Sequence, residues 1–163
     1  MIETFRTLTF AHAINGLVWR AEHSWSMDVG VPMYFGFTVP ARKIVALGRE
    51  YNTDSTSLQV DLYEASWSGG DPTKTINRDL ESRNDPPPMQ FFHAVTPGAL
   101  TDRITGFEIA TQGSIRIGRQ GEVEPFVHDA LTSYVLVITN NAAGVKDYSF
   151  TVDYRLIQPG EAK

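Results

Sequence analysis

The sequence predicts an all-β protein, an antiparallel β-sandwich of jelly-roll-like form with about eight to ten strands and an N-terminal hairpin or arm. Three observations carry that expectation. Apolar residues recur with a period of two in several runs, residues that favour turns separate those runs, and helical periodicity is nearly absent. With 163 residues the chain has the size of one domain, and neither an internal repeat nor a linker divides it. Residues 1–24 read as the arm or hairpin, 25–157 as the sandwich and 158–163 as a tail.

In the first 22 residues, Phe5, Thr7, Thr9 and Ala11 fall on one side and Leu8 and Phe10 on the other. Asn15-Gly16 tolerates the positive φ of a type I′ turn, so Leu17-Val18-Trp19 starts a second arm. Pro32 to Pro40 is a strand bracketed by prolines, with Phe35, Phe37 and Val39 facing in. Lys43 to Asn52 is a long β-rich run, and Asp54-Ser55-Thr56-Ser57 turns the chain into the next strand. There Leu58, Val60 and Leu62 alternate with Gln59, Asp61 and Tyr63.

Ser68 to Pro72 is a turn, followed by a polar segment closed by Pro86-Pro87-Pro88. Met89 to Val95 reads as a strand with Pro97-Gly98 as its turn, and Arg103 to Ala110 as a strand whose apolar face shifts as at a bulge. Gly113 to Gly121 is a short strand punctuated by glycine, and Val127 to Leu131 is the one place that reads as a helical turn. The end of the chain is the clearest part. Tyr134 to Thr139 is apolar throughout, Asn140 to Gly144 is a turn, and Tyr148, Phe150, Val152, Tyr154 and Leu156 alternate with Ser149, Thr151, Asp153 and Arg155, which reads as an antiparallel hairpin.

Composition narrows the function classes. A net charge of −5 argues against a sequence-independent grip on nucleic acid, which needs clustered Lys and Arg. With Cys 0 there is neither a disulfide framework nor a thiolate for catalysis. Met1 to Arg6 carries neither a basic n-region nor a long apolar run, and nothing approaches the length of a membrane span, so a soluble protein made in the cytoplasm is expected.

His12, His23, His93 and His128 lie far apart, without zinc-site spacing, and read as surface or core residues; no metal or cofactor is expected. Asp153, Glu122 and Glu124 read as solvated carboxylates, since a glycosidase pair needs a defined separation and a raised pKa. No Gly-x-Ser-x-Gly elbow is present. Gly118-Arg119-Gln120-Gly121, beside Arg116, matches a GxxG clamp in letters but lacks the helices that such a clamp needs, and reads as turn residues. The expectation is therefore a non-enzymatic protein. Trp67 beside Gly69 and Gly70, with Tyr63, Trp19 and Trp25, has two readings: a platform for sugar rings, as in a carbohydrate-binding module of a surface-attached protein, or an interface or core aromatic group. Asn77, Arg78, Arg83 and Asn84 give one loop many donors, which either brace its own backbone or dock onto a carboxylate-bearing partner.

Asp61-Leu62-Tyr63-Glu64, the turn after it, and Asn77-Arg78, Leu80 and Arg83-Asn84 together resemble a class of small tailed-phage virion proteins of the head-decoration, or capsid cement, type. Tyr134 to Asn141 and Asp147 to Phe150 are similar to the closing hairpin of that family. The resemblance runs from about Trp25 to Ile157 and contains no catalytic signature. It implies a protein on the outer surface of the virion that bridges subunits of the major capsid protein, and a homotrimer. The partner-binding residues expected on this basis are Phe5, Leu8, Phe10, Trp19, Trp67, Asn77, Arg78, Arg83 and Asn84.

Overall fold

The computed structural model describes residues 17–79, 85–110, 112–117 and 126–160. The strands are β1 (Trp19–Met27), β2 (Pro32–Thr38), β3 (Ile44–Thr53), β4 (Leu58–Glu64), β5 (Trp67–Ser68), β6 (Asp71–Pro72) and β7 (Lys74–Asn77). Then follow β8 (Phe91–His93), β9 (Thr96–Pro97), β10 (Asp102–Ile109), β11 (Gly113–Ile117), β12 (Phe126–His128), β13 (Ser133–Asn140) and β14 (Lys146–Leu156). Among the described residues there is no helix.

Two sheets stack face to face. The first has the order β11-β3-β14-β1-β7, with β12 also on β3; the second has the order β10-β4-β13-β2-β8-β6. Every pairing is antiparallel. The eight principal strands cross between sheets at every step except from β4 to β10, giving β1-β14-β3-β11 against β2-β13-β4-β10. That is the strand order of a jelly roll, as the sequence predicts.

The period of two explains the layers. On β1, Trp19, Ala21 and Met27 are buried while Arg20, Glu22, Ser24 and Ser26 alternate on the outer side. Phe35 and Phe37 of β2 meet Phe150 and Phe91, with ring centroids 5.4 and 4.7 Å apart, and Val39 is buried beside them. The expected bulge in β10 falls between Arg103 and Thr105, leaving Ile104 exposed and Ile109 in the core.

Four expectations need correction. β13 and β14 are not a hairpin: β13 pairs with β2 and β4, β14 with β1 and β3, so the turn at 141–145 crosses the sandwich. Val127 does not start a helical turn, because Phe126 to His128 extend along Ala46 to Ile44; the chain reverses instead at Leu131, with φ of 58°. The run from Met89 to Val95 shrinks to Phe91–His93, since Ala94 takes φ of 54° and leaves the ladder. The sandwich takes in β1 from Trp19, upstream of the boundary placed after residue 24. The turn at Asn15-Gly16 lies outside the described residues.

Candidate partner-binding site

The residues expected to meet a partner separate into three groups. Phe5, Leu8, Phe10, Arg83 and Asn84 lie outside the described residues, as do Leu80, His12, Glu122, Glu124 and Gly118 to Gly121. Trp19 and Asn77 are buried, which corrects their assignment to a contact surface. Trp19 begins β1 between Tyr154 of β14 and Asn77 of β7, where its indole belongs to the core. Asn77 turns its side-chain oxygen back to accept the amide of Asp79 at 2.9 Å, an Asx-type turn that ends β7. Arg78 and Trp67 form the third group, and each is held by its own chain.

Arg78 donates its amide to the carbonyl of Val18 at 2.9 Å and its Nη1 to Asp153 Oδ2 at 3.1 Å. Asp153 also accepts a forked pair from Arg20, Nε to Oδ1 at 2.8 Å and Nη2 to Oδ2 at 3.0 Å. One carboxylate on the outer side of β14 thus ties β1 and the segment after β7 to the centre of the first sheet. Its side chain is 9% exposed, so the solvated carboxylate read from the sequence is instead a covered one. The hydrogen bond to Asp153 raises the Arg20 pKa against the opposing effect of burial. For Arg78 the bracing reading is the one this geometry favours.

Trp67 lies flat on the outer side of the second sheet. A β-carbon added at Gly36 would sit 2.4 Å from Trp67 Cδ2, so glycine is what lets the indole reach the backbone of β2. The ring also packs on Phe92 at 5.1 Å, and its Nε1 is buried without a hydrogen-bond partner. With Ala65, Leu100, Tyr34 and Tyr63 it covers Val135 and Val137 of β13. The excursion that carries it is stitched down by Ala65 N to Ser133 O at 3.1 Å and Gly98 N to Ser66 O at 2.7 Å. One face of the ring is thus seated on the sheet, and the residue is half-buried rather than held out from the surface.

Sequence reading missed Asn140, which is fully buried at the end of β13. Its Oδ1 accepts from Ser55 Oγ and the amide of Ala142, both at 3.0 Å, and its Nδ2 donates to the carbonyl of Gly144 at 3.0 Å. Its own carbonyl accepts the amide of Gly30 at 2.7 Å. Three turns at one end of the jelly roll are locked by this side chain and its backbone. They hold Val29, Val31 and Val145 in solvent, with the exposed carboxylates Asp28 and Asp54 on the same turns and Asp147 at the start of β14. An asparagine directly after an apolar strand was the available signal.

The remaining polar groups of the interior have structural settings. His128 packs edge-on against Phe37 and Tyr134, and burial holds its pKa down to about 3. Burial likewise pushes Tyr51 up to about 12. Tyr154 donates its hydroxyl to the Met89 carbonyl at 2.6 Å. A cavity of about 20 Å³ between the sheets, bordered by Arg49, Met89, Phe91 and His128, has room for little more than one water. Among the described residues no group of three or more His, Asp and Glu is placed to hold a metal ion. No helix among them is long and apolar enough to cross a membrane.

The class these features define is an antiparallel jelly-roll sandwich with an outer cover on one sheet. No family model and no curated protein matches the chain. Among solved structures it is similar to chains from the IBDV viral particle, at 18% identity and TM-score 0.23, covering 89% of this chain and 40% of that one. It is also similar to the VP2 subviral particle of infectious bursal disease virus, at 16% identity and TM-score 0.22, covering 86% and 41%. The chain thus spans about two fifths of the length of those proteins.

Proposed function

We propose that the chain is a non-enzymatic structural protein of a tailed-phage virion, which decorates the capsid and stabilises it by bridging adjacent shell subunits. The observation that carries this reading is where the resembling segments fall. Asp61 to Glu64 on β4 and Tyr134 to Asn141 around β13 are hydrogen-bonded neighbours, and Asp147 to Phe150 lie on β14 at the centre of the facing sheet. The likeness therefore tracks the frame of the jelly roll. Many weakly bound copies that engage only the assembled shell stabilise it by linkage, without chemistry.

On this reading the shell contact moves away from Arg78 and Trp67, which are occupied within the chain. The apolar tip formed by Val29, Val31 and Val145, edged by Asp28, Asp54 and Asp147, suits an apolar recess of a shell subunit with a basic rim. The homotrimer belongs to the same proposal, and light scattering on the isolated protein and on material released from capsids tests it. The carbohydrate-binding alternative is weakened because the Trp67 ring is half-buried and packed on Gly36 and Phe92.

The deciding experiment is co-sedimentation with purified expanded shells of the encoding phage. Wild-type chain is expected to saturate the shells, and Val31→Asp with Val145→Asp to lose occupancy while melting unchanged. Arg78→Ala is expected to lower the melting temperature and to keep its occupancy below that temperature. Absence of wild-type binding would overturn the decoration role, and full binding by the valine variant would move the contact elsewhere.

A further inference from the structure

Two histidines far apart in the sequence meet where the sheets close on each other. His23 of β1 belongs to the first sheet and His93 of β8 to the second; their rings are 26° from parallel with centroids 3.8 Å apart. His23 also stacks on Trp25 at 5.4 Å and meets Phe35 edge-on at 5.8 Å. Thr73 Oγ1 stands 3.3 Å from His93 Nδ1. Both rings are half-buried, so protons reach them from solvent.

Few charges face this pair. β14 contributes Phe150 beside His23, and β2 contributes Phe35 beside His93. β6 contributes Asp71, exposed and opposite His93 in the register. Glu22 and Lys74, adjacent on β1 and β7, stand on the outer face of the first sheet and pair with each other. Neutral rings stack favourably and a single proton is tolerated, but a second places two like charges in contact, with Asp71 the facing carboxylate among the described residues. The ladder at this margin is short, β8 meeting β2 through three residue pairs and β6 meeting β8 through two, and the rest of its hold comes from Phe91 in the core, Thr73 N to Phe91 O at 2.8 Å and Gln90 Nε2 to Thr73 O at 2.7 Å.

We propose that the His23–His93 stack is an acid-sensitive latch, closed while the pair carries at most one proton and released when both rings are charged, freeing β8 and β6 from β1 while the rest of the sandwich stays folded. The low pKa of His23, held down by burial and then by His93, agrees in sign. A lowered imidazole contributes stability that is full above the unfolded value of about 6.5 and is lost as pH falls toward the folded value. The released strand leads into Val95, whose amide bonds Tyr34 O at 3.3 Å, and into β9, the partner of Trp67–Ser68. Acid opening therefore loosens the cover over the second sheet.

The test is an NMR titration of the full chain from about pH 8 to pH 4, with amide exchange followed in parallel. The two rings are expected to titrate as a coupled pair, with His23 below its ordinary value. Amide protection at Phe91 to His93 should fall about tenfold or more between pH 7 and pH 5, corrected for intrinsic exchange, while the centre of β14 keeps its protection. His93→Gln should leave one step for His23, nearer its ordinary value, and remove the acid loss at β8; should that variant not fold, the wild-type titration decides alone. His128, held near 3, stays neutral over most of this range. Independent one-step titration of both rings, or protection lost evenly across both sheets, would overturn the latch.

Discussion

The two sheets differ most on the sides that face away from the core. The outer side of the first sheet is polar: Lys74, Glu22, Thr151 and Glu50 stand partly exposed in one register row across β7, β1, β14 and β3, with Arg20 and Asp153 in the next, and further along β14 Asp153 and Arg155 are buried. The outer side of the second sheet is apolar at its centre and roofed by Ala65, Trp67 and Leu100 over Val135 and Val137. The central strands record this difference in their letters. β14 alternates because one face meets the core and the other meets polar groups, whereas β13 reads Tyr-Val-Leu-Val-Ile without a break because both its faces are covered. A continuous apolar strand in an antiparallel sandwich thus demands a roof, and the excursion between β4 and β10 supplies it.

On the polar side a large effect that would break this contrast is expected at Asp153, where two ion pairs converge. Asp153→Asn leaves Arg20 and Arg78 facing each other across a weak acceptor, and a loss of about 2 kcal/mol is expected in chemical denaturation, less than for a fully buried pair because both arginines reach solvent. Next comes Val135→Thr, which places a hydroxyl under the roof and should cost about 1.5 kcal/mol, whereas Thr151→Val on the polar face should change stability by less than about 0.5 kcal/mol. If the two exchanges cost the same, the distinction between roofed and polar faces fails. The smallest effect is expected for Lys74→Ala, which removes an exposed partner of Glu22 and should fall within about 0.5 kcal/mol and fade with added salt.

Much of the frame was legible because a sandwich strand writes its period directly. Leu58 to Leu62, Phe35 to Val39 and Tyr148 to Tyr154 all keep the alternation that burial requires, and the turn residues between them mark the crossings. The false hairpin at the end of the chain has a physical origin: an apolar strand, a short turn and an alternating strand describe equally a hairpin within one sheet and a crossing between two sheets. The choice lies in long-range pairing with β2 and β1, which local pattern does not encode. For Arg78 and Trp67 the sequence offered both an engaged and a partner-facing reading, and the choice lies with Asp153 and Gly36, far from them along the chain. The stack of His23 on His93 escaped for the same reason.

The central claim is that Trp67 is a structural roof seated on Gly36 rather than a ring held out for a ligand. A double-mutant cycle of Gly36→Ala and Trp67→Ala, read by chemical denaturation, tests it most directly. Alone, Gly36→Ala forces its new methyl into the indole and is expected to cost about 2 kcal/mol, and Trp67→Ala unroofs Val135 and Val137 at about 3 kcal/mol. Combined, the glycine replacement should cost almost nothing further, since the group it collides with is gone, giving a coupling of about 2 kcal/mol. Additive losses, with Gly36→Ala costing as much without Trp67 as with it, would contradict the account.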